Sequence, residues 1–181
     1  VSEPLDTFAP EYLKVATTIE RSYVYYHLSR GGRHPADFLT LKNSRLGNGD
    51  DQIYAGYGFT KRAPNTSLAV DATKGEIVAY NGNSVVTPYF SQSDGRTRSA
   101  SEVWGWTQAN FPWLVGRDDP YSSGLPLLGH GVGLSARGAR GMVSAGKNYK
   151  EVLNYFYTDT TTKILDTSKM NVRIGIYYIS L

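Results

Sequence analysis

The chain has no cysteine among its 181 residues, and this absence excludes two kinds of stabilising cross-link. It can contain neither a disulfide framework nor a thiolate metal site. It also lacks an apolar run long enough to cross a membrane, and no signal-peptide pattern is present. Because the chain begins with Val1 rather than Met, we expect it to be a processed or trimmed product.

Charge of one sign is not concentrated anywhere in the sequence. The 19 Lys and Arg residues against 16 Asp and Glu residues give a net charge of +3. This excess favours an anionic partner such as a carboxylated polymer. No run of Lys and Arg with interleaved aromatic residues is present, so we expect no nucleic-acid partner.

Tyrosine and glycine are more frequent than in average proteins, with 14 and 19 copies. Tyrosine offers an apolar ring face together with a hydroxyl, which suits a carbohydrate cleft and suits an ordinary sheet surface equally well. The hydrophobic content of 40% and the length are those of one soluble domain, which we place at residues 1–181.

The most distinctive stretch is Gly129–Tyr157, GHGVGLSARGARGMVSAGKNYKEVLNYFY. Glycines around His130 and Val132 allow tight turns and a close approach of the backbone to a partner. The stretch fits a functional loop, and it fits a glycine-rich connection packed beneath two helices equally well. It is not a phosphate-binding P-loop, because GxxxxGK[ST] does not occur.

Capping residues predict three helices. Pro10 suits the first turn of a helix over Pro10–Leu28. Ser135 is a suitable N-cap for a helix over Ser135–Ala145. Asn148, with a glutamate three residues later, predicts a capped helix over Tyr149–Tyr157.

A period of two predicts strands between Asp51 and Phe90. The segments DQIYAGY, SLAVDAT, EIVAYN and SVVTPYF are separated by the turn dipeptides KG and NG. We therefore predict an α+β fold, in which an antiparallel β-meander and the packed helices form one globular domain with two lobes around a cleft. Two further strands are expected, at Phe38–Leu41 and Val172–Leu181.

Four segments, in order and covering most of the chain, resemble the stage II sporulation protein D and amidase-enhancer (LytB-like) family. They are SEPLDTFAPEYLKVATTIERSYVYYH, the strand-rich run, FSQSDGRTRSASEVWGW and the glycine-rich stretch. The first matches the family pattern "SEMP…EALKAQAVAARTYAL", and the third matches "hSssGGrTesaedvWG". The resemblance implies a bacterial, extracytoplasmic domain that acts on peptidoglycan glycan strands.

The resemblance also implies the site residues. Glu3 takes the position of the catalytic glutamate, although Pro4 replaces the family's methionine, and Lys14 and Arg21 take the positions of its helix lysine and arginine. Ser91 replaces a histidine and Asp94 replaces a glycine of the family pattern. The expected substrate-binding residues are Lys14, Arg21, Ser91, Ser93, Arg96, Thr97, His130 and Ser135.

The resemblance implies a lytic transglycosylase that cleaves between N-acetylmuramic acid and N-acetylglucosamine with a 1,6-anhydro product. One carboxyl, Glu3, serves as acid and then as base, and for this its pKa must be raised. An alternative is a non-catalytic peptidoglycan-binding enhancer of an amidase. A third possibility is a hydrolase in which Asp94 or Glu102 is a second carboxylate.

No cofactor or metal is expected. The family often has cysteines that help to hold zinc in the loop between residues 29 and 50, where this chain has Leu41, Lys42 and Asn43. His34 alone cannot form a metal site. The expected partners are peptidoglycan glycan strands and a cell-wall amidase.

Overall fold

The computed structural model describes residues 5–31, 37–39, 58–166 and 170–175. The helices in this part are α1 Pro10–Leu28, α2 Phe59–Arg62, α3 Pro64–Ala72, α4 Ala100–Trp104, α5 Ala136–Ser144 and α6 Tyr149–Phe156. The strands are β1 Phe38–Leu39, β2 Glu76–Tyr80, β3 Asn83–Ser84, β4 Tyr89–Phe90, β5 Leu134–Ser135, β6 Thr161–Ile164 and β7 Ile174–Gly175. The predicted α+β class is confirmed, and the three predicted helices are present within one residue of their expected ends.

Helix α1 lies at the centre of the core. It packs against α3, β2, α5 and α6. Three of its apolar side chains, Leu13, Val15 and Ile19, are at most 3% exposed. Each such side chain contributes about 1.5–3 kcal/mol when it leaves water. The central helix therefore fixes the positions of elements that are far apart in the sequence.

Strand β2 is the middle strand of an antiparallel sheet with the order β3-β2-β6. The turn to β3 is Asn81-Gly82, with φ of 48° and 75°. Two positive φ angles in a two-residue hairpin match the twist of the flanking strands, and Asn-Gly is the preferred pair for it. The predicted NG turn is thus confirmed, and β6 completes the sheet from a distant part of the chain.

The predicted strand SLAVDAT is wrong, because these residues belong to α3 and its C-cap. The local N-cap is Ala63, which makes no side-chain cap. The cap comes from Asp6, whose Oδ1 accepts the backbone N–H of Thr66 at 2.7 Å. Leu68 and Val70 are exposed and Ala69 is buried, so the alternation that predicted a strand came from a helix that packs through its small residues.

The rest of the predicted meander also differs from the structure. Residues 51–57 lie outside the described part of the chain, and β4 pairs in parallel with β5 rather than with β3. The expected strands near Phe38 and Val172 are represented by β1 and β7, which pair in parallel with each other. Pairing of β4 with β5 places the glycine-rich stretch beside Tyr89 and Phe90.

None of the helices in the described ranges combines the length and the apolarity that a membrane crossing would need.

Candidate functional site

An open groove of about 540 Å³ lies on the described part of the chain. Four separate segments form it: the second half of α1, the stretch before and into β4, the end of α4, and the glycine-rich loop. We call it the aromatic groove, because seven of its nine lining residues carry aromatic rings. The nine are Tyr23, Tyr26, His27, Val86, Pro88, Tyr89, Trp104, Trp106 and His130.

Two tryptophans at the end of α4 are held by ring contacts. The rings of Trp104 and Trp106 are 4.7 Å apart, and Phe111 lies 4.4 Å behind Trp106. The residue between the tryptophans, Gly105, has φ of 69°, a conformation that costs other residues about 1–2 kcal/mol. The glycine thus lets the chain leave the helix with both indoles on the groove.

His130 is a fixed and neutral part of the wall. Its Nδ1 accepts the backbone N–H of Val132 at 3.1 Å, so the neutral ring carries its proton on Nε2. Burial lowers its pKa, and the backbone carbonyl of Tyr89 opposes that shift. The ring lies 5.0 Å from Trp104 and 5.6 Å from Phe90, so His130 closes the groove as an aromatic surface.

Helix α1 supplies the opposite wall through Tyr23, Tyr26 and His27. Residues three and four positions apart share a helix face, and the rings of Tyr23 and His27 are 4.5 Å apart. Arg30 stacks on Tyr26, with its guanidinium carbon 3.7 Å from the ring centre. The sequence-based prediction missed these three residues, although their spacing is the signal that could have found them.

The two basic residues predicted on α1 make contacts within the fold. Nη1 of Arg21 donates to the backbone oxygens of Thr73 and Glu76 at 2.7 and 2.8 Å. Lys14 pairs with Glu11 at 2.6 Å. Neither residue lines the aromatic groove, and their predicted role in substrate binding stays a prediction.

The predicted residues that precede α4 have different environments. Arg96 is exposed and pairs with Glu102 at 3.0 Å. Thr97 is buried, and its Oγ1 accepts the N–H of Arg117 at 2.9 Å. The structure therefore places Arg96 at the beginning of α4, whereas the tryptophans of the groove lie at its end.

The three predicted serines also lie outside the lining of the groove. Ser91 is exposed at the end of β4. Ser93 is buried and donates to Asp119 at 2.7 Å. Ser135 is the N-cap of α5 and accepts the N–H of Gly138 at 3.1 Å. Of the predicted site residues in the described ranges, His130 alone lines the groove, and Glu3 lies outside these ranges.

The carboxylates offered as a second catalytic group are unsuited to donate a proton. A side-chain hydrogen bond from Arg98 lowers the pKa of Asp94 to about 2. A side-chain hydrogen bond from Arg96, assisted by the N–H of Ser99, lowers the pKa of Glu102 to about 2. Both are therefore ionised at neutral pH, so neither can act as the general acid, and the role of either as the base or nucleophile of a two-carboxylate hydrolase stays a prediction.

Metal ligation has little support in the described part of the chain. There, no group of three or more Asp, Glu and His side chains lies close enough together to hold an ion. His34 falls outside the described ranges, so the expectation of no zinc stays a prediction.

Comparison with known proteins finds a relative that matches part of the chain. Over 68 residues the chain is 35% identical to the amidase enhancer of Bacillus subtilis (strain 168). The match covers 38% of this chain and 9% of that protein, so the chain spans under a tenth of its relative's length. No family model matches the chain.

This similarity corrects the predicted function. It supports the amidase-enhancer part of the family resemblance and gives no support to a transglycosylase domain. The prediction of a lytic transglycosylase is therefore wrong, because the protein that the chain resembles is named for the enhancement of an amidase. The non-catalytic alternative agrees with that name.

Proposed function

We propose that this chain is a non-catalytic domain that binds peptidoglycan glycan strands in the bacterial cell envelope and enhances a cell-wall amidase. The aromatic groove is the observation that carries the proposal. The similarity to an amidase enhancer supports the second half of it.

The groove has the chemistry of a saccharide site. The C–H groups on one face of a pyranose ring pack on an indole or a phenol, while hydroxyl groups at its edge remain in water. A volume of about 540 Å³ falls within the roughly 300–1,000 Å³ of small-molecule sites. No Asp, Glu, Lys or Arg is among the nine described lining residues, which favours a neutral sugar ring over a charged ligand.

Binding of this kind can enhance an amidase without any catalytic group in this chain. A domain that holds the polymer and the enzyme together makes their encounter intramolecular and raises the effective concentration. The gain requires only that one surface bind glycan while another contacts the amidase.

The first test is binding of peptide-free glycan strands, measured by calorimetry for wild type and Trp106→Ala. Loss of a central tryptophan typically weakens binding about tenfold or more. Phe59→Ala, which removes a half-buried ring on α2, is the matched control and should bind as wild type. Equal affinity of Trp106→Ala and wild type would show that the aromatic groove is not the glycan-binding site.

The second test is release of stem peptides by a cell-wall amidase, with and without the chain. We expect wild type to accelerate release and Trp106→Ala to accelerate it less. Glycan binding without any acceleration would refute the enhancer role and leave a binding domain.

A further inference from the structure

A second cavity, of about 170 Å³, lies apart from the aromatic groove and shares no lining residue with it. It is far larger than the roughly 10–15 Å³ that a single water requires. We call it the side pocket. It is formed by a short 3-10 helix over Pro120–Ser122 with the two residues before it, and by one face each of α5 and α6. Its lining is Asp118, Asp119, Pro120, Tyr121, Met142, Tyr155 and Phe156.

The polar part of the side pocket is anionic. Asp118 is exposed, whereas Asp119 is 1% exposed. Within the described part of the chain, neither carboxylate forms an ion pair with Lys or Arg. A buried carboxylate without a cationic partner is costly, and a cation that enters the pocket would offset this cost.

Asp119 is only half satisfied by hydrogen bonds. Its Oδ2 accepts from Ser93 at 2.7 Å and from Ser122 at 2.8 Å. Its Oδ1 is buried and has no partner among the described residues. Buried polar atoms are nearly always paired with protein or with an ordered ligand, so this oxygen indicates a missing donor.

Glycines of α5 bring that helix close to the acidic segment. A Cβ at Gly138 would lie 2.6 Å from Oδ1 of Asp119, and one at Gly141 would overlap the ring of Tyr121. Only glycine permits this approach, which holds Asp119 and Tyr121 against the helix. The walls of the side pocket are therefore fixed by packing rather than by loose loops.

Aromatic and apolar groups form the remainder of the side pocket. The Tyr155 hydroxyl donates to the backbone oxygen of Asp118 at 2.7 Å, which fixes the ring beside the carboxylates. The Arg117 guanidinium carbon lies 5.9 Å from the centre of the same ring, and its Nη2 donates to Thr158 rather than to an aspartate. Aromatic faces attract bound ammonium groups, and a carboxylate beside them adds a charge-assisted hydrogen bond.

We propose that the side pocket binds the primary ammonium group of a lysine-like side chain in a peptide. The ammonium would donate to the exposed Asp118 carboxylate, the buried charge of Asp119 would attract it from behind the pocket wall, and it would lie against Tyr121 and Tyr155. Its alkyl chain would pack on Met142 and Phe156. Three N–H donors on a flexible stem match this combination of acceptors and apolar walls.

The test is an NMR titration of the whole chain with Nα-acetyl-lysine methylamide, observed at the Met142 methyl group. We expect a saturable shift from this probe and none from its Nε-acetylated analogue, which lacks the charge. Both probes contain no glycan, so the result is independent of the function proposed for the aromatic groove.

Asp118→Asn keeps the shape of an exposed side chain and removes its charge, so the affinity for the probe should fall by about tenfold. Asp71→Asn, an exposed charge removal at the end of α3, should leave the affinity unchanged. Asp119 is left intact because it holds Ser93 and Ser122. Equal shifts from the two probes, no saturable shift, or the same saturable shift with potassium chloride alone would each overturn the proposal.

Discussion

At the scale of single residues, His130 shows how a backbone contact sets the chemistry of a side chain. Its Nδ1 can accept the N–H of Val132 only while that nitrogen is unprotonated. Protonation of the ring replaces this hydrogen bond by a repulsion between two donors. The wall of the groove next to Trp104 therefore keeps this structure only while the His130 ring is neutral.

The first prediction concerns pH. Because burial places the folded-state pKa of His130 below the unfolded value of 6.5, the unfolded chain binds more protons between the two values. Stability is then fully present above about pH 6.5 and declines as the pH falls towards the folded pKa. Glycan affinity should decline over the same interval, as measured by calorimetry at pH 8 and pH 5.

His130→Asn is the variant for this prediction, because its side-chain oxygen can accept from Val132 and does not titrate. It should show a smaller difference in stability between pH 8 and pH 5 than wild type does in thermal melts. An NMR titration that gave His130 a pKa at or above 6.5 would contradict the prediction.

The second prediction uses two glycines with nearly the same conformation. Gly133 and Gly105 have φ of 76° and 69°, but a Cβ at Gly133 would overlap the Pro88 carbonyl oxygen, whereas nothing lies within 4 Å at Gly105. Gly105→Ala should cost about 1–2 kcal/mol from the left-handed backbone alone. Gly133→Ala should cost clearly more, as measured by chemical denaturation, and equal costs would show that β5 can move away from Pro88.

At the scale of elements, α4 depends on its N-terminal cap. Ser99 accepts the N–H of Glu102, and Glu102 accepts the N–H of Ser99 in return. This capping box follows from the sequence, since both partners lie within four residues. The caps of α5 and α6 were predictable for the same reason. The cap of α3 comes from Asp6, 60 residues before Thr66, and no local pattern reveals it.

The third prediction is that Ser99→Ala costs about 1 kcal/mol of stability and weakens glycan binding, because α4 positions Trp104. The mutual cap also depends on an ionised Glu102, whose pKa is lowered from 4.5 to about 2. Its contribution is present above about pH 4.5 and is lost as the pH falls towards 2. Ser144→Ala, an exposed serine at the end of α5, is the control, and equal melting temperatures for the two variants would contradict the prediction.

Arg21 joins two elements and gives the fourth prediction. Its guanidinium bonds the turn between α3 and β2 to α1 through the oxygens of Thr73 and Glu76. Arg21→Met keeps the aliphatic stem and removes these bonds, so it should cost about 1.5–3 kcal/mol in chemical denaturation. Arg62→Met, on the exposed face of α2, should cost little.

The two possible roles of Arg21 separate in one experiment. A structural role lowers stability and leaves glycan affinity unchanged under conditions where the variant is folded. Unchanged stability with weaker glycan binding would instead support the substrate contact that the resemblance implies.

At the scale of the whole molecule, the aromatic groove gives the fifth prediction. A site lined by rings without formal charges binds through packing and local hydrogen bonds, which salt screens little. Affinity for peptide-free glycan strands, whose muramic acid residues carry carboxylates outside the groove, should therefore change less than about twofold between 50 and 500 mM salt, as measured by calorimetry. A steep decline would indicate that the positive net charge of the chain, rather than the groove, binds the polymer.

The groove also shows where prediction from the sequence stops. The glycine-rich stretch could be recognised in one segment, and it yielded His130. Tyr23, Trp104 and Trp106 line the same groove only because the fold places the second half of α1 and the end of α4 around it. Their convergence depends on packing against the core, which local periodicity does not encode. The transglycosylase prediction failed for a different reason, since it was transferred from a family and did not follow from the residues themselves.

The contact between α1 and α6 has a consequence for how the protein folds. The N–H of Tyr149 donates to Glu11 at 2.8 Å across 138 residues of sequence, and α1 also packs on β2 and α5. To form contacts between such distant residues, the chain must first lose the entropy of closing a large loop. This entropy loss comes before the contacts stabilise the structure, and it slows folding. During synthesis, the part of α1 that α5 and α6 cover stays exposed until the second half of the chain has been made, and over that interval it is open to aggregation or to a chaperone.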